Sequence, residues 1–277
     1  MIKLGGHQSI AGGLHEALNR INSIGGNCLQ IFSSSPRGWN FAKIDEGQVS
    51  KFLNLKSRLK IDPIYFHASY LVNLADDSKT GHLSKLSLIA EMNIAPSLKI
   101  KGSIIHLGSF KDQRSDIKYQ KFISNIIEVL NKTPKDALFI IENAGNKKIG
   151  QTLDEISKIV KDVNNPRVRL CLDTCHLFSN GYGFKNEGEL NKFIEKLDEL
   201  ELLEKLEVWH INDSRDPFSS GRDRHENIGK GTIGIDEFKT LLNHPKTKEF
   251  PFIIETPGFD GNGPDKKNIN ALKNCLK

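Results

Sequence analysis

Short runs rich in β-branched residues recur at 2–6, 27–32, 64–67, 103–107, 137–142, 168–173, 206–212 and 251–256, and each reads as a strand. Between them apolar positions fall at helical spacing: Leu14, Ala17, Leu18 and Ile21 after the first run, then Tyr119, Ile123, Ile126, Ile127 and Leu130 after the fourth. The fifth run is followed by Leu153, Ile156, Ile159 and Val160, opened by Thr152 and Glu155 in the order of a capping box. Phe193, Ile194, Leu197 and Leu200 form the next stripe, then Ile235, Phe238, Leu241 and Leu242, and last Ile269, Leu272 and Leu276. The apolar triplets Phe139-Ile140-Ile141 and Phe252-Ile253-Ile254 suit a parallel sheet buried on both faces. Strand then helix, repeated with strand starts about 25–45 residues apart and no Pro/Ser linker, predicts an α/β fold, a closed (β/α)8 TIM barrel spanning 1–277 as one domain. A doubly wound open sheet is the alternative. The longest stretch without periodicity, 213–234, is rich in Gly, Ser, Asp and Arg and too long for an ordinary connector, which marks it as a functional loop.

Composition narrows the class. With 277 residues, 38% hydrophobic and 26% charged, the chain can bury one core of this size, and it lacks the ~18 consecutive apolar residues of a membrane span. Its beginning enters strand-like sequence without the basic and apolar segments of a secretory signal, so a cytoplasmic protein is expected. Cys28, Cys171, Cys175 and Cys275 are too few for a disulfide framework and are expected to be thiols. A net charge of +5 admits a nucleic-acid partner without requiring one.

The chemistry of such a barrel sits at the carboxyl ends of its strands. There the third run ends in His67, the fourth reaches His106, the fifth Glu142, the sixth Asp173, the seventh His210 and the eighth Glu255. His176 follows Asp173 by three residues, and Asp223 and His225 lie in the long loop. Any one of these reads most simply as a solvated or satisfied polar residue. Together on one rim they would be buried charges needing compensation, which metal ions supply. Nitrogen and oxygen ligands without thiolate suit Zn, Mn, Fe, Mg or Ca, and an imidazole-rich set leans towards Zn or Mn. Nine ligands exceed one tetrahedral site and suit two or three ions, with a carboxylate such as Glu142 bridging. Cys171 and Cys175 flank Asp173 but read as core thiols; His7 could face the same cleft, whereas His15, His82 and His244 are expected to be exposed. The Gly-rich stretch 5–13 lacks the Lys-Ser/Thr of a phosphate-binding loop.

Longer strings carry a resemblance. They are Gly5-Gly6-His7, Ala11-Gly12-Gly13-Leu14, His67-Ala68-Ser69-Tyr70-Leu71-Val72-Asn73-Leu74, His106-Leu107-Gly108-Ser109 and Ile141-Glu142-Asn143. Further on come Cys171-Leu172-Asp173-Thr174-Cys175-His176, His210-Ile211-Asn212-Asp213-Ser214, Arg222-Asp223-Arg224-His225-Glu226-Asn227-Ile228-Gly229 and Ile254-Glu255-Thr256-Pro257. Over essentially its whole length the chain resembles endonuclease IV, the zinc-dependent apurinic/apyrimidinic (AP) endonuclease family of base-excision repair.

The resemblance implies three zinc ions. His67, His106 and Glu142 would hold the first; Glu142 would bridge to the second, completed by Asp173, His210 and Glu255; His176, Asp223 and His225 would hold the third. It also implies double-stranded DNA containing abasic sites as partner, a catalytic role for Glu142, and DNA contacts from Arg37, Tyr70 and Leu71. Ala68 stands where some relatives carry an acid, outside the ligand positions. Clustered zinc fits the chemistry, because it would screen the phosphodiester charge and lower the pKa of water to about 7. Arg37, Arg215, Arg222 and Arg224 could take flanking phosphates, and Tyr70 and Trp39 could enter the stack at an abasic gap. The expected activity is a monomeric 5′-acting AP endonuclease with 3′-repair phosphodiesterase activity. A metal-dependent sugar isomerase or epimerase and a non-catalytic lesion-binding protein are the alternatives.

Overall fold

In the computed structural model, which describes residues 2–39, 41, 43–111 and 114–277, eight parallel strands close into a barrel. In chain order the strands are β1 (Lys3–His7), β2 (Cys28–Phe32), β3 (Ile64–His67), β4 (Gly102–Ile105), β5 (Leu138–Glu142), β6 (Val168–Asp173), β7 (Leu206–His210), β8 (Asp213–Ser214), β9 (His225–Glu226) and β10 (Pro251–Ile254). The barrel runs β1-β10-β7-β6-β5-β4-β3-β2 and closes by pairing β2 with β1, so each barrel strand neighbours the one that precedes it in the chain. The helices are α1 (Leu14–Ser23), α2 (Glu46–Leu59), α3 (Lys79–Ile94), α4 (Asp116–Asn131), α5 (Leu153–Val163), α6 (Thr174–Ser179), α7 (Glu187–Glu199), α8 (Ile235–Asn243) and α9 (Lys266–Lys273). The doubly wound alternative is excluded by closure. Among the described residues no helix is long and apolar enough to cross a membrane.

Successive side chains of a strand point to opposite faces, and here that alternation builds the site. Leu29, Phe66, Ile105, Phe139, Ile141, Leu172, Trp209, Phe252 and Ile254 belong to the large core under the helices. The alternate positions Cys28, Tyr65, Ile104, Ile140, Cys171, Val208 and Ile253 form a separate cluster that fills the barrel interior. At the eighth place in that layer stands Gly5, where a Cβ would fall 1.9 Å from the Cys28 carbonyl oxygen, so glycine alone lets β1 approach β2. Two residues further along every strand, on the same inward parity, come His7, Gln30, His67, His106, Glu142, Asp173, His210 and Glu255. One polar layer therefore caps one apolar layer.

Several boundaries differ from the sequence reading. β4 ends at Ile105 and β10 at Ile254, so His106 and Glu255 lie one residue past the ladder, and β1 extends to include His7. The long loop is not wholly irregular, because Asp213–Ser214 pairs antiparallel with His225–Glu226. All four cysteines are free and buried, as expected. His82 is exposed, but His15 is half-buried against Glu16, and His244 is buried with Nε2 3.1 Å from Asn191 Oδ1, which ties the end of α8 to α7.

Helix α3 turns an acid inward. Glu91 is buried and accepts hydrogen bonds from Ser33 Oγ at 2.5 Å and from Ser103 Oγ, joining α3 to the loop after β2 and to β4. Burial, only partly offset by the two hydroxyls, pushes its carboxyl up to about 7. A carboxyl whose folded pKa is raised holds its proton more tightly in the folded state, so it costs stability increasingly as pH rises from its unfolded value to about 7. Glu91→Gln in chelator-treated protein is therefore expected to be more favourable at pH 8 than at pH 5 by about 2 kcal/mol, or about 4–8 °C in Tm. Equal shifts at both pH values would show that Glu91 does not titrate in this range.

Candidate metal centre

The nine predicted ligands converge at the carboxyl end of the barrel. Among the described residues, ligand atoms of His67, His106 and Glu142 lie within 4.8 Å of one another, as do those of Glu142, Asp173, His210 and Glu255, and those of His176, Asp223 and His225. Glu142 belongs to two of these groups. Its Oε2 lies 3.2 Å from His67 Nε2 and 3.3 Å from His106 Nε2, while its Oε1 lies 3.0 Å from His210 Nδ1. His210 Nδ1 is also 3.3 Å from Glu255 Oε2. In the third group Asp223 Oδ1 lies 3.0 Å from His176 Nε2 and 3.6 Å from His225 Nε2.

These separations bear on what the groups could hold. Two donors on one tetrahedral zinc ion, each at about 2.0–2.2 Å, stand about 3.4 Å apart. His225 Nε2, buried and without a hydrogen-bond partner, sits 3.6 Å from both Asp173 Oδ2 and Asp223 Oδ1, too far for a hydrogen bond and close to a coordination edge. His106 Nδ1 is likewise buried and unpartnered. The donor set, four buried or half-buried carboxylates facing five imidazoles, thus fits metal ions.

The imidazoles are oriented from behind. His67 Nδ1 donates to the Ala68 carbonyl at 2.8 Å, His176 Nδ1 to the Asn143 carbonyl at 2.8 Å and His225 Nδ1 to the Glu255 carbonyl at 3.3 Å, each leaving Nε2 facing a carboxylate. Asp173 is fixed by Asn212, whose Nδ2 donates to Oδ2 at 2.6 Å, and by Asn143, whose Oδ1 accepts from the Asp173 backbone N–H at 2.6 Å. Asp173 also caps α6 by accepting from the His176 backbone N–H at 2.9 Å, which sets the spacing of those two side chains.

Charge balance follows the same contacts. Burial alone would raise Glu142, but His106, His210 and His67 outweigh it and hold its carboxyl well below the usual range; His210 and His67 do the same for Glu255. Burial opposes charge on His176, yet Asp173, Asp223 and Glu142 raise it to about 10, whereas burial dominates at His106 and lowers it to about 4. Burial pushes the Cys171 thiol up to about 12 and Cys175 higher still. Cys175 also lies within 4.8 Å of Asp173 and His225, beside the third group.

The expected DNA contacts divide. Tyr70 is 66% exposed, stands edge-on to Phe32 with ring centroids 5.2 Å apart, and projects at the lip of the centre beside exposed Leu71. Arg37 is exposed, in a loop tied to the Tyr70 segment by Ser69 Oγ donating to the Pro36 carbonyl at 2.7 Å. Trp39 is half-buried. Arg222 and Arg224 are not free cations: Arg224 Nε lies 2.7 Å and its Nη2 2.5 Å from the carboxylate of buried Asp216, and Arg222 Nη1 lies 3.5 Å from it. Arg215 pairs with Glu226 at 3.2 Å. Each keeps an exposed side chain, so these pairings orient the arginines along the loop rather than bury them.

Sequence reasoning passed over Gln30. Its signal was available, a lone amide at an inward position of the apolar strand Cys28–Phe32.

Residues 18–277 match a family described as a xylose isomerase-like TIM barrel. Among curated relatives, a probable endonuclease 4 of Thermosipho melanesiensis is 37% identical over 285 residues, covering 100% of this chain and 99% of the relative. One from a Sulfurihydrogenibium species is 34% identical over 281 residues, covering 100% of both. The crystal structure of endonuclease IV from Thermus thermophilus superposes with a TM-score of 0.85 at 28% identity, over 99% of this chain and 98% of that one. With full-length identity at this level and the same barrel, the chain belongs to the endonuclease IV family.

Proposed function

We propose that this enzyme is a DNA-repair nuclease that hydrolyses the phosphodiester bond 5′ to an abasic site, leaving a 3′-hydroxyl and a 5′-deoxyribose phosphate, and that it also acts as a 3′-repair phosphodiesterase. The observation that carries the reading is the grouping of His67, His106, Glu142, Asp173, His176, His210, Asp223, His225 and Glu255 into three clusters joined through Glu142. Each cluster would hold one zinc ion. When bound, the ions would screen the phosphodiester charge and supply a water ionised near neutral pH.

The chain's own residues do the rest. Glu142 presents an oxygen to each of two clusters and sets their separation. His67, His176, His210 and His225 each have one ring nitrogen tied by a hydrogen bond, so the other is aimed before substrate arrives. Arg37, Arg222 and Arg224 would position flanking phosphates, and the Tyr70 ring with Leu71 would enter the gap left by the missing base, where unstacking costs least. Tyr70→Ala should therefore leave Tm unchanged but lower kcat/KM on an abasic duplex by about ten- to a hundredfold, since stacking contributes about 1–3 kcal/mol per base. An unaltered kcat/KM would remove Tyr70 from the DNA interface.

A sugar isomerase or epimerase would leave the His176, Asp223 and His225 cluster without a role. The direct test is incubation with a labelled duplex carrying one abasic-site analogue, using metal-loaded and metal-stripped protein with an undamaged duplex as control. A metal-dependent nick 5′ to the lesion is expected. Turnover of a ketose with one ion per chain would favour the isomerase, and metal-independent binding of the lesion without nicking would favour a binding protein.

A further inference from the structure

Of the eight side chains in the polar layer above the barrel core, six fall in the metal-binding groups, and His7 and Gln30 do not. Gln30 is fully buried, and its side-chain hydrogen bonds are all with that layer. Its Nε2 donates to Glu255 Oε1 at 2.5 Å and to His7 Nδ1 at 2.9 Å, and its Oε1 accepts from His210 Nε2 at 2.7 Å. The amide has one workable orientation, because reversing it would set a carbonyl oxygen against the Glu255 carboxylate and an amide nitrogen against the His210 N–H. This orientation fixes two things. His210 donates through Nε2 to the amide, so Nδ1, which donates to Glu142 Oε1 at 3.0 Å, is the nitrogen left to face a metal ion; and Glu255 has Oε1 occupied, so Oε2 is the oxygen that lies 3.3 Å from His210 Nδ1.

Within the three groups, the other imidazoles with a ring nitrogen tied from behind, His67, His176 and His225, are held by backbone carbonyls that the fold itself supplies. Among these four, His210 alone is held by a side chain. We propose that Gln30 is a positioning residue that selects the His210 nitrogen and the Glu255 oxygen left to face the metal, and so tunes the affinity and activity of the ion held by Glu142, Asp173, His210 and Glu255. This rests on the reading above that the group holds a metal ion. His7, bonded to the same amide, extends the chain to β1 and fixes the amide in turn.

The test compares Gln30→Met, similar in length but without hydrogen bonds, with Gln30→Glu, which keeps an acceptor for His210 and loses the donor to Glu255. In zinc-loaded protein the imidazole 15N spectrum should show His210 protonated at Nε2 and unprotonated at Nδ1 in the wild type and in Gln30→Glu, with His210 no longer confined to that form in Gln30→Met. In chelator-competition titrations both variants should bind one of three zinc ions about 10–100-fold more weakly and leave the other two unchanged. On abasic duplex, kcat should fall while KM stays constant. Wild-type zinc affinity at all sites in both variants would overturn the proposal even with the nuclease reading intact. If the wild type takes up no zinc, the functional reading fails, and solvent exchange of the His210 Nε2 proton alone decides: protection in the wild type that is lost in Gln30→Met supports the role of Gln30, and equal exchange in both overturns it. Should Gln30→Met fail to fold, Gln30→Glu carries the same zinc comparison.

Discussion

Glu142→Gln is expected to reduce cleavage of an abasic duplex by about 10³-fold or more while leaving a folded barrel. The carboxylate is fully buried at the end of β5, and each oxygen serves a different cluster, Oε2 facing His67 and His106 and Oε1 facing His210. Glutamine preserves the volume but offers one oxygen and one amide nitrogen, so one cluster loses a donor and both lose a negative charge. Several kcal/mol of transition-state stabilisation are at stake in such a centre, which converts to that fold-change. Zinc content should fall with it, and far-UV circular dichroism should match the wild type because Phe139, Ile140 and Ile141 hold β5 in place independently. Wild-type turnover with full zinc content would show that Glu142 does not join the two groups.

Much of this site was legible because two simple periods set it. Alternation along a strand has period two, so once Ile140 or Val208 is inside the barrel, Glu142 or His210 must point into its mouth. The strands are short and apolar, which makes their carboxyl ends easy to find. Helix α3 was harder to see, since its inner face carries Gly81, Ser84 and Glu91 beside Leu88 and Met92; Glu91 is satisfied by Ser33 and Ser103 and Ser84 by the Asn73 backbone N–H and the Thr80 carbonyl, partners that lie mostly elsewhere in the chain. The same holds for the arginines of the long loop. Their charge is visible in the sequence, but pairing with Asp216 depends on the β8–β9 hairpin, whose two-residue strands leave no periodic signal. His244 shows the converse error, because its buried ring is held by Asn191 on the neighbouring helix and by the Lys246 backbone N–H, contacts that no periodic pattern reveals. Gln30 lies between these cases: its direction follows from Cys28, but its three partners come from β1, β7 and the residue after β10.

Asp213→Ala is expected to lower Tm by about 10 °C and to strip the cluster of His176, Asp223 and His225 of metal. Asp213 is fully buried at the start of the long loop, and its carboxylate accepts four backbone N–H groups. Oδ1 takes Ser214 at 2.9 Å and Ile233 at 3.1 Å, and Oδ2 takes Gly229 at 2.9 Å and Gly231 at 3.0 Å. These bonds close the loop on itself around one side chain. Gly231 must be glycine for this, because a Cβ there would fall 2.5 Å from Asp213 Oδ1 and 2.3 Å from the Ser214 carbonyl oxygen. Removing the carboxylate strands donors that each cost about 1–3 kcal/mol when buried and unpaired; with water reaching some of them, a net loss of about 4 kcal/mol gives the stated shift. The loss reaches that cluster because Ser214 pairs with His225 across the hairpin, and Asp223 lies between the strands. Asp213→Asn should be nearly as damaging, since both oxygens are used twice and an amide nitrogen in either place would meet two N–H donors. Thermal denaturation and zinc content measured on both variants check the argument. An Asn variant with wild-type Tm and a full zinc complement would show that the loop is held by its other contacts, such as Thr232 N–H to the Ser214 carbonyl at 2.8 Å, and that Asp213 is dispensable to them.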